Sequence, residues 1–218
     1  VLLNAFLFFS LTATLNYSDV CRNYYQEAEK KYGIPSGLLE AMGHVESEHN
    51  PWAINVNTKG KGYRNKELAM KRIHEARASG ATNINIGCLQ LHWYHHIKHF
   101  DSIDAMIHPK NNVMYAAKYL KWLIKRYKTL SMAVRRYNSP TPKHNMRYLK
   151  KVAKAWSVIL KNRSSPSLNP HLIHDLGIGT KEGNQKDKKN LPSLSKAPSK
   201  NWKNYPCLIH FTVDSLGP

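Results

Sequence analysis

From residue 105 to residue 174 the chain contains no Asp and no Glu. Any carboxyl chemistry it performs must be supplied from elsewhere. Acids are scarce throughout: 14 Asp and Glu face 33 Lys and Arg, a formal net charge of +19 over 218 residues. That imbalance says little about fold, but it favours a polyanionic partner such as nucleic acid, anionic lipid or an acidic surface polymer. Cysteine is scarce as well. Cys21, Cys88 and Cys207 make an odd count that allows one bridge, with Cys21–Cys88 the expected pair. There is no apolar run of membrane-spanning length. Residues 1–15 are uncharged but too few to cross a bilayer as an ordinary helix. They read as the h-region of a secretory signal peptide over 1–18, truncated at its start because the Met and basic n-region are missing. A periplasmic or secreted protein is expected, with no transmembrane anchor in the mature chain. Ser18-Asp19-Val20 before Cys21 is a poor lipidation signal.

Alternation with period two is absent too, and there is no internal repeat. Helical periodicity is present instead. Asp19 is placed to cap a helix through Lys31, stopped by Gly33. Pro35 suits the first turn of a second helix, PSGLLEAMGHVES. KELAMKRIHEARASG reads as a third and GCLQLHWYHHIKHF as a fourth. NNVMYAAKYLKWLIKRYK is the clearest, with Val113, Ala117, Leu120 and Ile124 on one face. LSMAVRRYN and HNMRYLKKVAKAWSVILKN complete an all-α domain over 19–162. From 163 to 218 Ser, Pro, Asn and Lys dominate, and a disordered basic tail is expected.

The stretch HVESEHNPWAIN, 44–55, offers three readings. A zinc helix places histidines four apart around a Glu. His44 and His49 are five apart and would diverge by about 140° on one helix, so no metal is expected, and no cofactor. The spaced pairs His92/His96 and His95/His99 read as a solvated or groove-lining face. Glu46 follows Met42 by one turn and Leu39 by two, so it closes an apolar stripe, whereas Glu48 points elsewhere. A carboxyl at that place is desolvated, which raises its pKa toward what a general acid needs near neutrality. It would equally suit an amphipathic helix boundary. Gly87 in GCLQL allows close backbone approach, and Gln90 offers a donor and an acceptor. Tyr137 and Asn138 end the run AVRRYNSP.

Taken in order, GIPSGLLEAMGHVESEHNPWAIN, NIGCLQLHW and AVRRYNSP resemble the lytic transglycosylase domain of the soluble lytic transglycosylase, goose-lysozyme-like type, over about 21–158. The long insertion GKGYRNKELAMKRIHEARASGATNIN resembles that of an α-proteobacterial subgroup. The resemblance implies a lysozyme-like helical fold. Glu46 aligns with the family's single catalytic acid and Ser47 with a serine that supports the backbone. Gln90, Tyr137 and Asn138 align with residues lining the glycan groove. Asn55 stands where many members carry a serine near the substrate's N-acetyl group, and Cys88-Leu89 stands where Leu-Met is common.

The implied reaction is cleavage of the MurNAc–GlcNAc β-1,4 bond of peptidoglycan with formation of 1,6-anhydro-MurNAc ends. Glu46 would act first as acid and then as base. Ordinary glycosidases pair two carboxylates. The acid-free stretch narrows the second candidate to Glu48, Glu67, Glu75, Asp101 and Asp104. Trp93, Tyr94 and Tyr137 are candidates for sugar stacking, each worth about 1 kcal/mol. The expected partners are peptidoglycan glycan strands, with cell-envelope or secretion machinery as a further partner. No nucleic acid partner is expected, and the chain is expected to be a monomer. The alternatives are a lysozyme-type hydrolase of the same bond, an inactive cell-wall-binding relative, and a basic nucleic-acid-binding module suggested by KRYK, RRYN and RYLKK.

Overall fold

The computed structural model describes residues 17–163. Residues 1–16 of the expected signal peptide, the expected tail from 164 onward and Cys207 lie outside the described residues. Eight α-helices carry the described part: α1 Tyr17–Tyr32, α2 Leu38–Ser47, α3 Lys66–Ala78, α4 Trp93–His96, α5 Ile103–Ile107, α6 Pro109–Tyr127, α7 Leu130–Asn138 and α8 Pro142–Asn162. A short 3₁₀ turn, Ile97–His99, follows α4. The all-α expectation is corrected by four short antiparallel strands, β1 Ala53–Val56, β2 Lys59–Gly62, β3 Ile84–Ile86 and β4 Leu91–His92, in the order β2-β1-β3-β4. The domain is therefore mostly helical, with a small antiparallel sheet. Among the described residues, no helix is long and apolar enough to cross a membrane.

The core is helical. α1 packs on α6, α2 on α8, α6 on α7 and α7 on α8. Val113, Ala117 and Leu120 of α6 are fully buried, as their spacing predicts, and Ile124 packs at the margin of the core. Pro109 and Pro142 open α6 and α8, where a missing N–H costs nothing. Gly43 lets α1 and α2 approach: a Cβ there would lie 2.0 Å from the Tyr25 hydroxyl.

Two helix starts differ from expectation. α1 begins at Tyr17, so Asp19 sits in its first turn and does not cap it. α2 begins at Leu38, because Gly37 turns left-handed with φ of 78° just after Pro35. Its cap comes from another helix. Buried Glu29 of α1 accepts hydrogen bonds from Gly37 N at 2.9 Å and Leu39 N at 2.8 Å. Burial pushes the Glu29 carboxyl up to about 7, while those two N–H groups and Arg163 pull it back down. Glu29→Ala would leave two buried donors unmet and should cost about 2 kcal/mol. Thermal unfolding checks this, and a loss below about 0.5 kcal/mol would contradict the capping role.

GCLQLHWYHHIKHF is not one helix. Gly87–Gln90 turns between β3 and β4, and only Trp93–His96 is α-helical. The turn needs Gly87 at φ of 81°, and Gln90 itself is left-handed at φ of 46°. Cys21 and Cys88 form a disulfide, Cα atoms 6.0 Å apart, that ties α1 to this turn.

Candidate active site

A cleft of about 480 Å³ runs between the end of α2 and the β1–β2 hairpin. Glu46 lines it from the last turn of α2, half-buried, one and two turns beyond the fully buried Met42 and Leu39. Burial pushes its carboxyl up to about 7. Tyr148 of α8 opposes this shift. Its buried hydroxyl stands beside the carboxyl, short of a well-formed hydrogen bond, and pulls the pKa partly back. The Tyr148 hydroxyl is itself held well above its usual range by burial and by the charge of Glu46.

After Ser47 the helix ends abruptly. Glu48 and His49 are both left-handed, with φ of 54° and 66°. The helix-based divergence of His44 and His49 therefore does not hold: their ring centres lie 5.6 Å apart. His49 is buried, 3.4 Å from the Tyr25 hydroxyl through Nδ1, and burial pushes its pKa down to about 4. Among the described residues there is no group of three His, Cys, Asp or Glu side chains arranged for a metal. The histidines of HWYHHIKH differ from the expected solvated face. His92, His96 and His99 are half-buried, His96 Nδ1 lies 3.0 Å from the Tyr115 hydroxyl, and none of them lines the cleft.

The 87–90 turn, whose Gln90 lines the cleft, is clamped from several sides. Ser47 Oγ donates to Cys88 O at 2.8 Å and to Gly43 O at 3.3 Å, a backbone-supporting position. Tyr137 donates from its hydroxyl to Leu89 O at 2.8 Å. Buried Asn112 accepts from Leu89 N at 3.0 Å and donates to Ile86 O at 2.9 Å and Met106 O at 3.2 Å. A Cβ on Gly87 would meet Asn112 Nδ2 at 2.6 Å, so Gly87 is needed for contact as well as for φ.

Gln90 lines the cleft, but its Nε2 donates to Ala53 O and Gly87 O, both at 3.0 Å. Only its Oε1 is left to offer, as an acceptor. Asn55 lines the cleft from β1, with Oδ1 buried and unpartnered. Neither Tyr137 nor Asn138 is among the lining residues. Tyr137 donates to Leu89 O, and Asn138 is exposed at the end of α7. Trp93 and Tyr94 also stand outside the lining. The Arg77 guanidinium covers the Trp93 ring at 4.8 Å, and Tyr94 is 62% exposed.

Sequence reasoning missed Tyr148, Asn112 and the hairpin. Asn112 did carry a signal, since it shares a face with buried Ala116 and Leu120, where a polar residue is out of place. Tyr148 carried none, because only the packing of α8 on α2 brings it to Glu46.

Of the acids named as second carboxylates, only Glu48 lines the cleft. Asp104 pairs with Lys66 at 2.6 Å, and Glu67, Glu75 and Asp101 are exposed elsewhere.

A mostly helical domain with a small antiparallel sheet carries a half-buried carboxyl at the cleft between helix α2 and the hairpin. The transglycosylase SLT domain model matches residues 23–156, and the chain belongs to that family of lytic transglycosylases. It is also similar to protein IpgF of Shigella sonnei and of Shigella flexneri, 36% identical to each over 73 residues, which is 32% of this chain and 48% of either relative. The chain thus spans about half the length of these curated relatives. No solved structure matches it.

Proposed function

We propose that the protein is a peptidoglycan lytic transglycosylase that cuts the MurNAc–GlcNAc β-1,4 bond with Glu46 as its single acid and base. The observation that carries this is the Glu46 carboxyl in the cleft, held by burial near a pKa of 7. A carboxyl so poised is protonated in a large share of molecules at neutral pH and can give its proton to the glycosidic oxygen. The substrate's own N-acetyl carbonyl then supports the anomeric carbon as the bond breaks. The ionised Glu46 takes the proton of the MurNAc C6 hydroxyl while that oxygen closes on the anomeric carbon. Proton and electrons balance: one proton leaves Glu46, one returns, and the product is a 1,6-anhydro ring plus a free GlcNAc hydroxyl.

The chain's other groups serve this step by position. Gln90 Oε1 is an acceptor for sugar N–H and O–H groups, and Asn55 lines the same cleft. Tyr137, Ser47 and Asn112 hold the turn that carries Gln90. Tyr148 faces Glu46, and its hydroxyl steadies the carboxylate once the proton has left.

A lysozyme-type hydrolase would require a second carboxylate or a held water, and Glu48 is the one further acid in the cleft. Glu48→Gln should keep cleavage of purified sacculi within about threefold of the parent, since an exposed charge outside the proton path contributes little. Soluble muropeptide release measures this, and a loss of about 10²-fold or more would move the assignment to a two-carboxylate hydrolase. The tyrosines of the basic motifs do not support an open nucleic-acid platform. Tyr148 is buried, and the guanidiniums of Arg126 and Arg136 lie over the Tyr127 ring at 5.8 and 5.5 Å. The Cys21–Cys88 bridge and the apolar start both favour a periplasmic or secreted site of action.

A further inference from the structure

Gly60 is a glycine that the fold does not ask for. It lies on β2, four exposed residues inside the insertion noted in the sequence. Glycine weakens a strand, and it is kept where a bulge, a bend or a close approach requires it. Gly62 has such a reason: a Cβ on it would meet Asn50 Nδ2 at 2.6 Å. Gly60 has none within the described residues. Its φ lies outside the left-handed region, and a Cβ would meet only the Asn55 amide, with Nδ2 at 3.7 Å, an ordinary contact. Gly60 stands opposite Asn55 in the strand ladder, so the two share a face, and both line the cleft. A side chain at 60 would therefore stand in the cleft. Its absence leaves the wall bare beside Asn55.

The backbone of Gly60 is unspent as well. Along an antiparallel pair, residues that exchange hydrogen bonds with the partner strand alternate with residues that turn N–H and C=O away from it. Tyr63 N donates to Trp52 O at 3.2 Å, so Tyr63 and Trp52 are a bonded pair, and Lys61 and Lys59 follow in the same phase. Gly60 and Gly62 fall between them. β1 shows the same phase from its other side: Ala53 O accepts from Gly87 N at 2.9 Å, so Ala53 and Asn55 turn their polar groups toward β3 and not toward β2. Among the described residues the sheet ends at β2, which pairs with β1 alone. Gly60 thus presents one donor and one acceptor at an open edge, and its missing side chain clears the way from the cleft to that edge.

An open strand edge matches an extended peptide, which supplies the complementary acceptor and donor at strand spacing. We propose that the edge of β2 at Gly60 is a peptide subsite, receiving the peptide arm that a substituted glycan strand carries out of the cleft over this bare wall. This rests on the cleft being the glycan site.

Binding is measured in a Glu46→Gln background, so that no ligand is consumed, with three probes: peptide-bearing glycan strands, peptide-free glycan strands and N-acetylglucosamine oligomers. Gly60→Val, whose β-branched side chain suits a strand, closes the wall. Gly60→Pro removes the outward N–H and breaks no bond to β1, since proline is tolerated on an edge strand. Each should weaken the peptide-bearing strands by roughly three- to tenfold, the effect of one lost hydrogen bond, and leave the other two probes within about twofold. With Glu46 intact, Gly60→Val should raise KM on sacculi and leave both kcat and the pH of the activity decline where they are. Unchanged binding of the peptide-bearing strands by Gly60→Val, or an equal loss on the N-acetylglucosamine oligomers in both variants, would overturn the subsite. Failure of the enzymatic reading shows up separately, as absence of any product from the wild-type chain.

Discussion

Glu46→Gln lowers the rate of muropeptide release by about 10³-fold or more, while the variant still sediments with purified sacculi. The size follows from the double use of one group. A positioned acid contributes on the order of 10²–10⁴-fold, and here the same carboxyl serves bond breaking and ring closure. Gln fits the space and keeps hydrogen-bonding capacity, but it has no proton to give. The wild-type rate should fall as pH rises above about 7, because the reactive form is the protonated one. The same carboxyl costs stability. Its folded pKa lies above the ordinary value of 4.5, so between pH 4.5 and 7 the folded chain holds a proton that the unfolded chain has released. Stability contributed by Glu46 is therefore complete below pH 4.5 and is lost as pH rises to 7. Glu46→Gln removes that loss and should unfold later than the parent at pH 8, by on the order of 1–3 kcal/mol, with little difference at pH 4.5. An inactive variant that is also less stable at pH 8 would point to damage of the fold instead.

Removing the disulfide has the second large effect. Cys21 and Cys88 are 67 residues apart and both fully buried. Closing a loop of that length stabilises by about 4 kcal/mol in the chain-entropy account, within the 2–5 kcal/mol usual for native bridges. The double variant Cys21→Ala, Cys88→Ala should melt on the order of 10 °C lower. Reductant should lower the parent's Tm toward the same value and leave the variant where it is. Activity should fall before the melt, because Cys88 belongs to the turn that carries Gln90 and accepts from Ser47. A Tm change of only about 2 °C would show that the bridge contributes little to holding α1 on the turn.

The sequence made the helices legible wherever an apolar stripe ran for several turns. α6 and α8 stand out because their buried faces repeat at helical spacing, with Val113, Ala117 and Leu120 in one and Leu149, Val152 and Trp156 in the other. Glu46 was legible for the same reason, as the residue that ends the stripe of Leu39 and Met42. The sheet was not. Its strands are two to four residues long, too short for period-two alternation to register, and β2 is Lys-Gly-Lys-Gly, an edge strand held by pairing with β1 alone. The 87–100 segment read as a helix because the left-handed turn through Gly87 and Gln90 depends on Asn112, which lies more than twenty residues further on. Gln90 and Tyr137 were named by their place in the motifs; in the structure Gln90 uses its donors on the backbone, and Tyr137 donates to Leu89 O. Tyr148 and Glu29 act through contacts between separate helices, and local patterning carries no trace of those.

The most direct test of the account is the mass of the muropeptides that the wild-type protein releases from purified sacculi. One carboxyl that gives a proton to the glycosidic oxygen and takes one from the sugar's own C6 hydroxyl predicts products lacking one water per cut relative to hydrolysis, with no reducing end. Products carrying the added water and an ordinary reducing end would contradict it.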